Sequence, residues 1–193
     1  MQDTQLTLGR RGFLAGTAAV AATTALTGLA GPTAAQTQTQ PMETKMRPET
    51  GHRALTTENT VLLLVDHQVG TIGWAGELAS EEERNQLKMW TLTIARFAKS
   101  AGMSIVLTSS LETEDQGPLF PELEDIMPEE YAARIQRQGV INAWDDPALA
   151  DAVRAPGKKN LLIGGVTTDV CLVPPALSAK DEGFNVVALV DIS

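Results

Sequence analysis

Short apolar runs alternate with helical segments from about residue 59 onward. Four runs are typical of strands buried on both faces of a parallel sheet: Thr60–Val65, Ser104–Thr108, Asn160–Ile163 and Asn185–Val190. Helices are predicted over three segments between or beside them: Glu81–Ser100, Asp145 or Asp146 to about Arg154, and about Val170 to Glu182. The alternation predicts an α/β fold with three layers, α/β/α, around a mostly parallel, doubly wound sheet.

Three prolines, Pro118, Pro121 and Pro128, interrupt the stretch after the second predicted strand. Proline lacks a backbone N–H donor and disrupts the interior of helices and sheets. We therefore expect an irregular segment there, with at most a short helix.

The first 35 residues have the pattern of an export signal. Arg10 and Arg11 precede an uncharged, weakly apolar stretch from Phe13 to Ala30, and small residues at 33–35 provide a signal-peptidase site. Paired arginines before such a stretch resemble the signals of the twin-arginine export route. We expect residues 1–35 to be a twin-arginine-type signal peptide, so that the mature protein is periplasmic or secreted and has no stable membrane anchor. The alternative is an uncleaved anchor, since the stretch is long enough to span a membrane.

Residues 36–58 are rich in glutamine, threonine and charged residues, and they include Pro41 and Pro48. They have no apolar periodicity, which is typical of a solvated, disordered linker. The folded domain is predicted to cover residues 59–193, and no internal repeat is visible in its sequence.

The charge and the cysteine count argue against several classes of protein. The chain has 24 acidic and 15 basic residues and a formal net charge of −9, which disfavours a nucleic-acid partner because binding phosphates needs a basic surface. A single cysteine excludes an intramolecular disulfide framework and a cysteine-rich zinc site. Two histidines leave little material for a histidine-based metal centre. We expect no metal and no cofactor.

Polar residues follow the predicted strands at their carboxyl ends, which is where a parallel sheet binds its ligands. Asp66 follows the first strand, and Cys171 lies in the first turn of the helix after the strand that begins at Asn160. The two side chains are therefore expected to face one cleft. With Thr168 or Asp169 as the cap of that helix, its aligned amides are expected to lower the pKa of Cys171.

Position alone leaves a structural interpretation of both residues open. A lone cysteine is commonly a small buried hydrophobic residue, and Asp66 could simply cap a helix. A more specific pattern is needed to decide between a catalytic pair and two structural residues.

Three segments, in this order and at this spacing, resemble those of the isochorismatase-like cysteine hydrolases: Val61–Gln68, Ile141–Asp145 and Ile163–Cys171. Gly117–Leu119 and Pro174–Ala179 are similar to segments of the YcaC-related branch of that family. The resemblance covers about residues 59–193 and implies the three-layer isochorismatase-like fold and a homo-oligomer. Because the family's domain usually continues further, its C-terminal part is expected to be missing here.

Members of this family use an aspartate, a basic residue and a cysteine. The resemblance assigns these catalytic roles to Asp66, Arg137 and Cys171, with Arg134 as the alternative basic residue if the loop is shifted by three positions. An arginine does not shuttle protons at neutral pH, so it would hold the thiolate and orient the carboxylate, and proton transfer would fall to Asp66.

The resemblance also implies a cis peptide bond between Val166 and Thr167. The family's oxyanion hole maps onto that bond and the amide of Cys171, so the expected donors are the backbone amides of Thr167 and Cys171. Substrate contacts are expected from three further side chains: Glu112, Asn142 and Trp144. The alternatives are a solvent-facing Glu112 and a Trp144 packed beneath its loop.

His67 adjoins Asp66, but adjacent residues of a strand point to opposite faces, so we expect a structural histidine. The nicotinamidase branch binds a metal through an aspartate and histidines that follow the catalytic aspartate. No histidine follows His67 in this sequence, so neither that metal site nor nicotinamide hydrolysis is expected.

Together these features predict a cysteine-dependent hydrolase that acts on a small amide-like (C–N) or related substrate through a covalent thioester. The alternatives are a non-catalytic paralogue or scaffold, and a redox sensor based on one cysteine, for which the sequence lacks a resolving partner.

Overall fold

The structure is a computed structural model that describes residues 55–74 and 80–193. The predicted signal peptide and residues 36–54 of the predicted linker lie outside the described residues. Within the two described ranges, no helix combines the length and the hydropathy needed to cross a membrane.

The described residues form a parallel sheet of five strands in the order β3-β2-β1-β4-β5. The strands are β1 Thr60–Val65, β2 Ser104–Ser110, β3 Ile135–Arg137, β4 Asn160–Gly165 and β5 Asn185–Ala188. β1 is central and all of its residues are buried. A strand covered on both faces has no solvent side, which explains why its sequence is a continuous apolar run.

Helices cover both faces of this sheet. They are α1 Thr71–Trp74, α2 Glu81–Ser100, α3 Pro121–Ile126, α4 Pro128–Ala132, α5 Pro147–Arg154 and α6 Val173–Asp181. Short 3-10 turns cover Ala143–Asp145 and Val190–Ile192, and a π-helical turn, Thr168–Leu172, leads into α6. Ser80 and Glu83 form a capping box at the start of α2, which satisfies donors that the first turn leaves free.

Two apolar clusters lie on opposite faces of the sheet. Leu62 and Leu64 belong to the cluster that includes residues of α2 and α3, whereas Val61, Leu63 and Val65 belong to the cluster that includes residues of α5 and α6. Successive side chains of a strand point to opposite faces, so β1 alone contributes to both layers of the core. The predicted three-layer α/β/α architecture around a parallel sheet is confirmed.

The last strand is shorter than predicted, since β5 ends at Ala188 and not at Val190. The chain then turns in the 3-10 segment and buries Ile192. A Cβ atom on Gly164 would lie 2.5 Å from the Ile192 side chain. This turn can therefore pack against β4 because Gly164 has no side chain.

The segment predicted to be irregular holds two short helices, α3 and α4, and the strand β3. Pro121 and Pro128 begin the two helices, where a missing N–H is tolerated because no helical bond would use it. β3 has three residues, too few for a periodic apolar pattern, and it pairs Ser110 with Arg137. The expectation of at most a short helix is therefore wrong, and the strand that it missed carries Arg137.

Candidate active site

Three side chains that are distant in sequence meet at the carboxyl end of the sheet. Asp66 follows β1, Arg137 ends β3, and Cys171 lies in the π-helical turn after β4. The Cys171 Sγ donates to Asp66 Oδ2 at 3.2 Å, and Arg137 Nη2 donates to the same oxygen. Asp66 has a φ of 57° and its amide donates to Thr108 O at 3.0 Å. The structure thus brings the expected triad together in one buried cluster.

The basic residue of the cluster is Arg137 and not Arg134. Arg137 is also held by Nε donation to Thr108 Oγ1 at 3.0 Å and by Nη1 donation to Val140 O at 2.6 Å. Arg134 instead donates from Nε and Nη2 to the two carboxylate oxygens of Glu112, at 2.6 and 2.9 Å. The Arg134 guanidinium is therefore bound by Glu112, and Arg137 is the arginine that contacts Asp66.

Asp66 is a carboxylate in an unusual environment. Burial raises the pKa of Asp66, although the charge and hydrogen bond of Arg137 and the hydrogen bond of Cys171 oppose this. Its second oxygen, Oδ1, is buried and has no hydrogen-bond partner among the described residues. A buried acceptor without a partner is costly, so Oδ1 is suited to accept a hydrogen bond from a group that enters the site.

The expected lowering of the Cys171 pKa is wrong. Burial raises the pKa of the Cys171 thiol, and the negative charge of Asp66 raises this pKa further, while Arg137 opposes the change more weakly. The side chain is 8% exposed. In the free site the sulfur is therefore a neutral thiol that donates its proton to the neighbouring carboxylate.

The expected helix cap beside Cys171 is also wrong. The π-helical turn starts at Thr168, which makes Thr167 the cap residue, and no side chain caps that turn. Asp169 accepts a hydrogen bond from the Thr167 hydroxyl at 2.6 Å. The turn has five residues, so its dipole is small beside the effects of burial and of Asp66.

The backbone next to the cysteine provides a free donor at Thr167. The peptide bond between Val166 and Thr167 is cis, and no hydrogen bond joins the Thr167 N–H to another described residue. The Cys171 amide, by contrast, donates to Thr167 O at 2.7 Å. Of the two expected oxyanion donors, the amide of Thr167 is available, whereas that of Cys171 is engaged in the turn.

A cavity of about 330 Å³ is lined by Asp66, Arg137 and Cys171 together with residues that follow β1, β2, β3 and β4. The other lining side chains include Thr71, Trp74, Gln116, Val140, Ile141 and Val170. The reactive cluster is therefore open to a small molecule although its own atoms are largely buried.

The three side chains expected to contact substrate do not line this cavity. Glu112 is held by Arg134. Asn142 accepts from the Trp144 amide at 3.2 Å and so starts the 3-10 turn. Trp144 is buried in the core, and its Nε1 donates to Glu182 Oε1 at 2.8 Å. These assignments are corrected: each of the three side chains has a structural partner elsewhere.

Two residues beside Asp66 support the site. His67 is fully buried, its Nε2 lies 2.8 Å from Ile192 O, and burial lowers its pKa to about 4. Gln68 accepts from the Ser110 amide at 2.9 Å and donates to Ser110 O at 2.8 Å. Gln68, which the sequence analysis did not single out, therefore ties the segment after β1 to the end of β2.

Four lining residues were not predicted from the sequence as parts of the site: Thr71, Trp74, Ile141 and Val170. A signal in the sequence could have found three of them. Trp74, Ile141 and Val170 are apolar residues in segments that follow strand ends, where a solvated loop would be polar.

In the described part of the chain, no group of three or more His, Cys, Asp or Glu side chains is arranged to hold a metal ion.

Comparison with known proteins supports the similarity in sequence. Residues 60–192 match the family model described as "Isochorismatase domain". The chain is 41% identical over 135 residues to "Probable hydrolase YcaC" of Escherichia coli strain K12, a match that covers 70% of this chain and 62% of that protein. The chain thus spans less than two thirds of the length of this relative.

Solved structures of YcaC proteins are similar to this chain in both fold and sequence. YcaC from Escherichia coli, described as an octameric hydrolase of unknown specificity, has a TM-score of 0.64 at 40% identity, covering 72% of this chain and 65% of that chain. YcaC from Pseudomonas aeruginosa, solved with hexane-2,5-diol and covalent acrylamide, has a TM-score of 0.66 at 39% identity, covering 74% and 67%. A nicotinamidase from Staphylococcus aureus, at 16% identity and a TM-score of 0.54 over 67% and 79%, shares the fold alone. The matched domain and the identity to YcaC show that this chain belongs to the isochorismatase family.

Proposed function

We propose that this protein is a cysteine-dependent hydrolase of small amide-like substrates, with Cys171 as the nucleophile. One observation carries the proposal: the Cys171 thiol donates to Asp66 Oδ2 at the edge of a cavity, and Arg137 holds that same oxygen. Family membership and the description of Escherichia coli YcaC as a hydrolase support it.

The first step is attack by sulfur. Asp66 takes the thiol proton while Cys171 Sγ forms a bond to the substrate carbonyl carbon, and the carbonyl oxygen becomes an oxyanion. Because the pKa of Cys171 is raised, the resting sulfur is a thiol and needs Asp66 to accept its proton. The Thr167 N–H is the donor proposed to stabilise the oxyanion.

The second step expels the amine. Asp66 returns the proton to the substrate nitrogen, the C–N bond breaks, and a thioester on Cys171 remains. A water molecule then loses a proton to Asp66 and attacks the thioester, which releases the acid and restores the thiol. Burial raises the pKa of Asp66, which makes its carboxylate a stronger base for the thiol and for water.

Arg137 has an electrostatic role in this scheme. A guanidinium stays charged at neutral pH and does not exchange protons. Its three donor contacts fix its plane, and its charge favours the ionised form of the buried Asp66. It is therefore the residue that holds Asp66 ready to accept the thiol proton.

The unpartnered Asp66 Oδ1 favours an amide over an ester. An amide nitrogen carries N–H groups that Oδ1 can accept, and an ester oxygen carries none. The Pseudomonas YcaC structure contains covalent acrylamide, which is a small primary amide. A redox-sensor function is disfavoured, because oxidation is faster for exposed thiols of low pKa and Cys171 is buried with a raised pKa.

We also propose that the protein is a homo-oligomer and that it is exported. The octameric state described for Escherichia coli YcaC supports assembly, and light scattering of the purified protein tests it.

The pair Arg10 and Arg11 supports export through the twin-arginine route. Arg10→Lys together with Arg11→Lys should abolish the size shift that signal cleavage produces on an immunoblot, and unchanged processing would contradict the export proposal.

The hydrolase proposal is tested by a substrate screen. Small amides, carbamoyl compounds, nitriles and esters are incubated with the wild type and with Cys171→Ala, and product acid is measured. We expect hydrolysis by the wild type alone and equal circular dichroism spectra for both proteins. Equal hydrolysis by both proteins, or none by the wild type across the series, contradicts the proposal.

A further inference from the structure

The cavity holds two charged side chains among its described lining residues, and they neutralise each other. Asp66 and Arg137 are paired through Asp66 Oδ2. All three guanidinium nitrogens of Arg137 already donate, to Thr108 Oγ1, Val140 O and Asp66. The lining cation in the described ranges is therefore already paired with a carboxylate, and an anionic substituent would have to compete with Asp66 for it.

Arg134, a neighbouring cation, does not change the net charge of the cavity lining. Arg134 is outside the lining and is bound through two donors to the carboxylate of Glu112. The other polar side chains of the lining, such as Thr71, Gln116 and Thr167, are uncharged. A carboxylate that entered the cavity would lose its hydration without gaining a counter-charge, which is strongly unfavourable.

The mouth of the cavity is apolar and exposed. Four lining side chains are among the exposed large hydrophobic residues: Trp74 at 54%, Val140 at 38%, Ile141 at 74% and Val170 at 38%. They come from segments after three different strands, β1, β3 and β4, so the fold gathers them at one place. We call these four side chains the apolar rim. An apolar rim around a concave site with a few polar groups is the usual composition of a ligand pocket.

We infer that the site takes neutral substrates that carry a small apolar group next to the reacting carbonyl, and that it rejects analogues with a carboxylate in that position. The cavity, about 330 Å³, lies at the low end of the range of about 300–1,000 Å³ for ligand pockets. The inference rests on the proposed function for turnover, whereas the discrimination itself is a property of the cavity and acts on any electrophile that reaches Cys171.

A matched pair of alkylating reagents tests it without requiring hydrolysis. Iodoacetamide is neutral and iodoacetate is anionic, and both react in the same way. The S–C bond forms, the C–I bond breaks, iodide leaves with the electron pair, and the thiol proton passes to Asp66 and then to solvent. Because Cys171 is the sole cysteine, intact-protein mass reports on this site alone. Both rates are measured in ~0.1 M salt, where exposed charges more than ~10 Å from the site are largely screened and a cation on the rim is not.

We expect the ratio of the iodoacetamide rate to the iodoacetate rate to be at least about 10-fold larger for Cys171 than for free cysteine under the same conditions, which corresponds to about 1.4 kcal/mol. A ratio equal to or below that of free cysteine overturns the inference. Failure of the wild type to hydrolyse any amide would refute the proposed function and leave this ratio as predicted, so the two failures are distinguishable.

Two variants identify the rim as the origin of the discrimination. Ile141→Lys adds a cation to the rim and should lower the excess ratio at least about threefold, since a nearby counter-charge favours the anionic reagent. Val190→Lys adds the same charge at another exposed apolar position, 66% exposed and outside the lining, and should leave the ratio unchanged. An unchanged ratio in Ile141→Lys, or an equal fall in both variants, overturns the inference. Size-exclusion profiles should match the wild type, and dissociation by Ile141→Lys would show instead that a second copy covers the rim.

Discussion

The Sγ atom of Cys171 lies 3.2 Å from Oδ2 of Asp66, although 105 positions separate the two residues. The same oxygen accepts from Arg137. Two donors therefore converge on one carboxylate oxygen, and the other oxygen of Asp66 has no partner among the described residues. This arrangement suits Asp66 to the proposed role of base for the thiol and leaves it an open acceptor toward the cavity.

Replacing Arg137 with methionine removes the charge that compensates the buried Asp66. Breaking a buried ion pair by removing one partner typically costs about 3–5 kcal/mol, so we expect a loss of that order in urea denaturation together with loss of hydrolysis. The matched control is Arg134→Met, whose partner Glu112 is more exposed and which should cost less. Equal destabilisation by the two substitutions would contradict the role of Arg137 as the counter-charge of the buried Asp66.

Asp66→Asn separates two effects of the carboxylate on Cys171: its charge raises the pKa of the thiol, and it is the proposed base that accepts the thiol proton. The charge of Asp66 raises the pKa of the thiol and Arg137 lowers it, so the substitution should shift the pH profile of iodoacetamide labelling to lower pH while hydrolysis is lost. Glu112→Gln makes the same change of charge outside the cavity and should leave the profile in place. If labelling of Asp66→Asn rises at the same pH as in the wild type, or at a higher pH, the charge of Asp66 does not raise the pKa of Cys171.

Thr71 is expected to contribute to substrate binding. Its hydroxyl is buried without a partner among the described residues, and the residue lines the cavity. Thr71→Val should leave the fold as stable or slightly more stable, because it removes an unsatisfied group, and should raise KM by about 10-fold as a hydrogen bond to substrate is lost. In Thr91→Val, by contrast, a hydroxyl bonded to Leu87 O is lost from α2, so stability should fall and KM should not change. An unchanged KM in Thr71→Val refutes the role.

His67 should make stability depend on pH. Burial lowers its pKa to about 4 from the ordinary 6.5, so between these values the unfolded chain binds a proton that the folded chain does not. The free energy of unfolding should therefore fall as the pH drops from about 6.5 to about 4, by up to about 3 kcal/mol from this group. The raised pKa of Asp66 acts in the opposite direction, so the test compares the pH slopes of the wild type and His67→Gln. Identical slopes would rule out the effect.

The parts of the fold that the sequence predicted are those with a long periodic or fully apolar pattern. The bounds of β1 and α2 match the predicted segments, because one is a buried apolar run and the other combines an acidic first turn with a periodic apolar face. The proximity of Asp66 and Cys171 could also be predicted. The two residues come after β1 and β4, and parallel strands bring their carboxyl ends to one edge of the sheet.

The remaining features depend on contacts that no local pattern encodes. β3 has three residues and is a strand only because it pairs with β2. The direction of the Cys171 pKa shift depends on burial and on Asp66, neither of which is visible from the helix terminus alone. Trp144 has the position of a loop residue in sequence, yet it packs against Phe184 in the core. These three features required the tertiary structure.

The central claim is that Cys171 forms a covalent acyl intermediate with help from Asp66. The most direct measurement is the intact mass of protein quenched during turnover of a substrate found by the screen. We expect an added mass equal to the acyl group on the wild type, located on Cys171 by peptide mapping, and no adduct on Cys171→Ala. Full turnover by Cys171→Ala, or an acyl group mapped to another residue, would contradict it.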